Sequence, residues 1–211
     1  MLNESYGNLS FAGSGAATGL ELVLKNPSKP KIILIEINVI RERDEQMIRD
    51  LFSPFLFYLK KYFPFLRQKY QPATVLANSF LKEDKSLSSN VDESVFKIGF
   101  DNQKKGQENI PDTSYIDKQI VEISSLIRSA EKDHVKVIFY EMPVHPDLAT
   151  SRSSVFIREK MLTAFPPNEY DWLPHPEDSK YQTTDGVHLT GASAIVFAQW
   201  LQNEISHKQA K

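Results

Sequence analysis

The chain has 211 residues, of which 41% are hydrophobic and 25% charged, proportions that are ordinary for a globular protein with one domain and a full core. The net charge of −2 without a long basic stripe argues against nucleic acid as a partner, and the absence of cysteine excludes a disulfide framework, a thiolate nucleophile and a cysteine-built zinc site. No apolar run approaches the ~20 residues of a membrane-spanning helix, and the N-terminus lacks the pattern of a signal peptide.

The first part of the chain predicts a strand, a helix and a second strand. Residues 8–12 are predicted to form a short buried strand, and residues 16–24 a helix that the proline-containing stretch 26–30 ends. Residues 31–38 follow, and the β-branched and leucine run 32–35 is typical of a strand buried on both faces. This order predicts a βαβ unit with a right-handed crossover, and therefore an α/β fold with a parallel sheet.

Two insertions are predicted next. Residues 44–81 have helical spacing and many aromatic side chains, concentrated in residues 52–70. Three interpretations stay open for them: a lid or cap on the domain, a partner-binding face, or a helix on a membrane surface. Residues 82–114 are polar and predict a mobile insertion, with at most a brief strand or turn at residues 95–100.

The second half of the chain again alternates helices and strands. A helix is predicted at residues 115–130, a second fully buried strand at 134–140, and helices at 153–164 and 191–205. We expect the two buried strands to be parallel, with Asn38 and Glu141 at the same edge of the sheet. This is the edge at which α/β proteins bind their ligands.

An acid and an imidazole stand three residues apart in the stretch 183–191, Thr-Thr-Asp-Gly-Val-His-Leu-Thr-Gly. Asp185 is placed to accept the Nδ1–H of His188, which fixes the tautomer of the ring and leaves Nε2 as a general base. Gly186 lets the backbone bend without a Cβ penalty, and Thr190 is the predicted N-cap of the last helix. The alternative is an ordinary acidic turn ahead of a helix.

This stretch, together with Asn8-Leu9-Ser10-Phe11-Ala12-Gly13 and the following Gly19-Leu20, resembles the SGNH (GDSL-like) hydrolase superfamily. The resemblance implies a three-layer α/β/α fold with a mostly parallel, flavodoxin-like sheet. It also implies an esterase- or lipase-like ester hydrolase that acts by a Ser-His-Asp mechanism. The alternative within the family is an O-acyltransferase that acts on a cell-surface polysaccharide, with the bacterial cell envelope as the location of the parent protein.

The same resemblance implies roles for individual residues. His188 and Asp185 are the catalytic base and its acid, and the N–H of Gly13 donates to the oxyanion. Asn38 is the second oxyanion donor, although the glycine and aspartate that usually stand beside this asparagine in the family are replaced here.

The family's nucleophile is a serine in a Gly-Asp-Ser turn after the first strand, and the registration of Gly13 places that turn ahead of Met1. We therefore expect this chain to lack the first strand and the serine, which an upstream segment would supply. Ser14, in the turn Ala12-Gly13-Ser14-Gly15, is the alternative nucleophile. A non-catalytic module that binds a glycan or an acyl group is the alternative from another functional class.

No cofactor and no metal are expected, since His134 and His175 have no carboxylate at metal-ligand spacing. The expected ligand is a small-molecule or glycan acyl ester. A contact with a membrane surface or another protein is expected, if anywhere, through residues 52–70.

Overall fold

The computed structural model describes residues 15–40, 48–49, 53 and 92–209. The predicted strand at 8–12, the turn with Gly13 and Ser14, and nearly all of the aromatic-rich insertion lie outside the described residues. The described part is a mixed α/β structure with a three-stranded parallel sheet and six α-helices, as the sequence predicted for the fold class. In chain order the elements are α1 (Ala16–Lys25), β1 (Ile32–Glu36), α2 (Glu93–Gln107), α3 (Thr113–Lys132), β2 (Lys136–Tyr140), α4 (Pro146–Ala149), α5 (Arg152–Ala164), β3 (Asp171–Trp172) and α6 (Gly191–Gln209).

The sheet has the order β1-β2-β3, and its strands are parallel. Glu36 at the end of β1 lies opposite Tyr140 at the end of β2, so both strands point the same way and finish at one edge. The predictions for this pair of strands and for the shared edge of Asn38 and Glu141 are therefore confirmed. Beyond the strands, the Asn38 side chain continues the pairing, because its amide donates to the carbonyl of Met142 at 2.8 Å and accepts from its N–H at 2.7 Å.

The core lies between α1, α3, α5 and the sheet. The predicted stripe of α3 is buried, and it packs with Ala17 and Leu20 of α1. The short β3 is held by aromatic packing: the rings of Phe139 and Trp172 lie 4.8 Å apart, and Trp172 Nε1 donates to the carbonyl of Phe165 at 2.8 Å. Within the described ranges, no helix is both long and apolar enough to cross a bilayer.

The prediction for residues 95–100 was wrong, because they lie inside the 15-residue helix α2 rather than in a strand or turn. Asp92 caps this helix by accepting the backbone N–H of Ser94 and Val95, and Asp112 caps α3 in the same way. No residue of α2 is fully buried, and its partly buried residues form one narrow stripe that contains polar residues and a glycine. Mobility of residues 82–114 stays a prediction.

Candidate functional site

The stretch from Thr183 to Thr190 is a closed turn whose two ends pair with each other. Thr183 and Leu189 form an antiparallel bridge, and the N–H of Thr184 donates to the carbonyl of His188 at 2.7 Å. Gly186 has a φ of +94°, in the region that favours glycine. Thr190 caps α6 through a 3.3 Å hydrogen bond from the N–H of Ser193 to its Oγ1, so the predicted N-cap is confirmed.

The hydrogen bond predicted between the acid and the imidazole is present. His188 Nδ1 lies 2.8 Å from Asp185 Oδ2, while Oδ1 accepts the backbone N–H of His188 at 2.8 Å and of Val187 at 3.0 Å. A carboxylate only accepts hydrogen bonds, so the neutral ring carries its proton on Nδ1 and leaves Nε2 without one. The His188 side chain is 73% exposed and that of Asp185 21%, which places the free nitrogen where a substrate can reach it.

The surroundings of Asp185 stabilise its charged form. Partial burial is the largest single influence and raises the pKa of its carboxyl group. The hydrogen bonds from the backbone and ring of His188 and from the N–H of Val187 outweigh it, and the pKa lies below its usual value. The acid of the pair is therefore ionised throughout the neutral range.

Helix α2 covers the other side of Asp185. Gln103 donates from its Nε2 to Asp185 Oδ2 at 3.3 Å. One turn earlier, Gly99 lies so close that an added Cβ would come within 2.8 Å of the Asp185 Cβ. Phe100 packs its ring 4.6 Å from that of His145, whose backbone N–H donates to the carbonyl of Gly186 at 2.7 Å. The turn is thus held between α2 and the loop after β2.

The carboxyl ends of β1 and β2 add two further titratable groups next to this turn. Glu36 is exposed when the whole residue is considered, but its carboxyl group lies close to protein atoms that raise its pKa by desolvation, and a positive charge on His188 opposes that rise. Tyr140, its partner across the sheet, has its pKa raised by burial and, to a lesser degree, by Glu36. A second carboxyl group is therefore coupled to His188 at the edge of the sheet.

The structure does not join the predicted oxyanion donors to this pair. Gly13 and Ser14 lie outside the described residues. The Asn38 amide is engaged with Met142, and among the described residues no hydrogen bond links it to Asp185 or His188. Its role as an oxyanion donor stays a prediction, while its observed role is to fasten the loop after β2.

A second polar cluster stands on the same loop. The Glu141 carboxylate accepts hydrogen bonds at 2.6–2.9 Å from the Arg158 guanidinium. His175 lies between Glu141, at 3.4 Å, and Asp178, at 3.1 Å, and Asp178 also accepts the N–H of Val144. No group of three or more histidines and carboxylates within the described part of the chain is arranged to hold a metal ion. The cluster ties the loop to α5 and to the segment before the turn.

An open groove of about 460 Å³ borders the turn, and a volume of this order suits a small-molecule site. Its described lining carries no carboxylate, lysine or arginine, and includes Phe96, His145, Tyr181, Gln182, Thr183 and Thr190. The Nδ1 of His145 accepts the N–H of Asp147 at 3.3 Å, so the neutral ring has its proton on Nε2. The groove thus offers aromatic faces and uncharged hydrogen-bonding groups.

No protein-family model, no curated protein and no solved structure matches this chain. The likeness to SGNH hydrolases therefore depends on the quoted residues alone. Sequence reasoning missed Glu36, Gln103 and Gly99. Glu36 could have been found from its position at the end of a strand, at the ligand-binding edge of the sheet. A contact face on the helix could have been found from the helical spacing of Phe96, Gly99 or Phe100, and Gln103.

Proposed function

We propose that the turn carries the acid–base pair of an ester hydrolase. The observation that supports this most directly is the two-sided fixation of Asp185: Oδ1 holds two backbone N–H groups, so that Oδ2 is presented to the His188 ring. An exposed pair of this kind contributes little to stability, about 0–1 kcal/mol. An oriented ring with an accessible Nε2 is, in contrast, what general base catalysis needs.

In the proposed mechanism Nε2 of His188 removes the proton of the attacking hydroxyl group, and Asp185 stabilises the imidazolium that forms. The attacking group would be the serine of a Gly-Asp-Ser turn, which the resemblance places ahead of Met1. Gly13 and Asn38 would hold the oxyanion, each donor contributing roughly 3 kcal/mol in comparable sites. The three-layer arrangement belongs to the same proposal. An O-acyltransferase would use the same pair, with an acceptor hydroxyl in place of water.

The proposal is tested with p-nitrophenyl acetate and three histidine and aspartate variants. With water in place of a serine as the nucleophile, we expect slow hydrolysis by the wild-type chain. We expect His188→Ala and Asp185→Asn to lower it further, by roughly 10²-fold for loss of the general base. His207→Ala is the matched control, because His207 is an exposed histidine in the last turn of α6.

The His207→Ala rate should equal that of the wild type. Equal rates for His188→Ala and His207→Ala would show that His188 contributes no more than an ordinary surface histidine, and the catalytic proposal would fail. Transfer of the acetyl group to added glycerol in place of water would favour the acyltransferase form.

A further inference from the structure

The Oδ2 atom of Asp185 has two hydrogen-bond donors of different origin. One is the ring of His188, three residues away in the same turn, and the other is Gln103 from α2, 82 residues away in the chain. The local donors fix the carboxylate within its own turn, but they do not relate it to the rest of the domain. The donor from α2 relates it to a helix whose Phe96 lines the groove.

We propose that Gln103 is a positioning residue for the acid–base pair, through which α2 takes part in orienting Asp185. This inference extends the proposed function to a residue that acts through the acid and does not itself touch the substrate.

Two features of α2 support this role. Its Gly99 rests on Asp185 at a distance that leaves no room for a Cβ. Its C-terminal turn is fastened separately, because the side-chain oxygen of Gln107 accepts from Ser151 at 2.9 Å and from Ser154 at 3.2 Å. The helix is therefore anchored at one end by contacts that do not involve the pair, and Gln103 stands one turn away from that anchor.

The chemistry of the contact is specific. A carboxylate has no proton to donate, so Gln103 must present its NH₂ group to Oδ2 and its carbonyl oxygen elsewhere. Donation to a charged acceptor adds to the hydrogen bonds that keep Asp185 ionised. A side chain of the same length that accepts only, such as glutamate, would repel Oδ2 and turn the carboxylate away from His188.

The test uses nitrogen NMR of the His188 ring in the full chain near neutral pH, and it needs no ester hydrolysis. The readouts are the share of the Nδ1–H tautomer and the rate at which the Nδ1–H proton exchanges with water. We expect Gln103→Met to speed the exchange roughly fivefold, the factor that corresponds to one ordinary net hydrogen bond. Gln103→Glu should have a larger effect in the same direction.

Gln107→Met is the matched control on the same helix, since it removes the anchor at Ser151 and Ser154 and leaves the donor to Asp185. The proposal is supported if the Nδ1–H proton exchanges fastest in Gln103→Glu, more slowly in Gln103→Met and most slowly in the wild type. The exchange rate in Gln107→Met should be close to that of the wild type. Equal effects of Gln103→Met and Gln107→Met would assign the effect to helix packing and overturn the role of Gln103. No effect of either Gln103 variant would overturn it as well.

The two proposals fail in different ways. If His188 is not a catalytic base, the hydrolysis rates of the His188→Ala and His207→Ala variants coincide, while the order of proton exchange rates among the Gln103 variants persists. If Gln103 does not position the acid, the Gln103 variants show no such order of proton exchange rates, while the loss of hydrolysis in His188→Ala remains.

Discussion

Two glycines in α2 provide a matched pair of substitutions for the contact between this helix and the acid–base turn. An added Cβ at Gly99 would meet the Asp185 Cβ at 2.8 Å and its Cα at 3.4 Å, whereas one at Gly106 would meet nothing within 4 Å. Both residues are helical, so alanine brings each an intrinsic gain of up to about 0.5–1 kcal/mol, which is smaller at Gly106 because this is the penultimate residue of α2. A loss of stability in Gly99→Ala relative to Gly106→Ala therefore reports the contact.

We expect Gly106→Ala to stabilise α2 by that gain. In Gly99→Ala the new methyl group collides with atoms next to the Asp185 backbone, which cannot swing aside as the end of a long side chain can. Overpacking of this kind costs about 1–3 kcal/mol, so the gain is cancelled or reversed and the two variants differ by that amount. If α2 moves outward to relieve the collision, the 3.3 Å hydrogen bond from Gln103 to Asp185 is lost.

Hydrogen exchange of the α2 amides under native conditions is the suitable assay, because α2 contacts the domain through one stripe and is expected to open without global unfolding. Protection should rise in Gly106→Ala and fall in Gly99→Ala. Urea denaturation measures the free energy of global unfolding. The midpoints of the two variants should differ by roughly 0.5–1.5 M for an m value near 2 kcal/mol/M. Equal protection in the two variants would show that α2 does not rest on Asp185.

Three other predictions concern separate groups. Gln119→Leu should raise the free energy of unfolding by about 1–3 kcal/mol, because the Gln119 amide is fully buried and has no hydrogen-bond partner within the described part of the chain; an unchanged urea midpoint would contradict this. Glu36→Gln should stabilise the protein at about pH 7 and lose this advantage below about pH 4, since the raised folded-state pKa makes ionisation of Glu36 unfavourable to folding; an advantage that is independent of pH would show another cause. A serine-directed fluorophosphonate probe should leave the chain unlabelled, whereas labelling that disappears in Ser14→Ala would make Ser14 the nucleophile.

Much of the fold follows from local pattern. The sequence sufficed to place β1 and the isoleucine stripe of α3, and that stripe is buried as its spacing requires. The prediction that the run in β1 is buried on both faces was wrong, because only Ile35 of this strand is buried. The Asp185–His188 hydrogen bond belongs to the same class, since it spans three residues and a glycine turn and depends on no distant part of the chain.

Helix α2 shows why the rest could not be predicted. Its stripe contains Gly99 and Gln103, which contribute no apolar signal, and the exposed Val95 and Ile98 point away from the domain. Its orientation comes from contacts 44 to 82 residues distant in sequence, to Ser151 and Asp185. The Asn38–Met142 pair spans 104 residues and is likewise absent from any local pattern.

The distinction between local and distant donors at Asp185 has a consequence for how the site forms. Oδ1 is occupied by N–H groups two and three residues away, so the turn closes around it whenever Gly186 adopts its positive φ. The closure of the turn therefore depends on residues of its own sequence stretch. The groove beside the turn, whose walls include Phe96 of the same helix, is complete only when α2 is docked. A ligand that contacts Phe96 would then stabilise the docked helix and, through Gln103, the aligned acid, by an amount that equals its preference for the docked state.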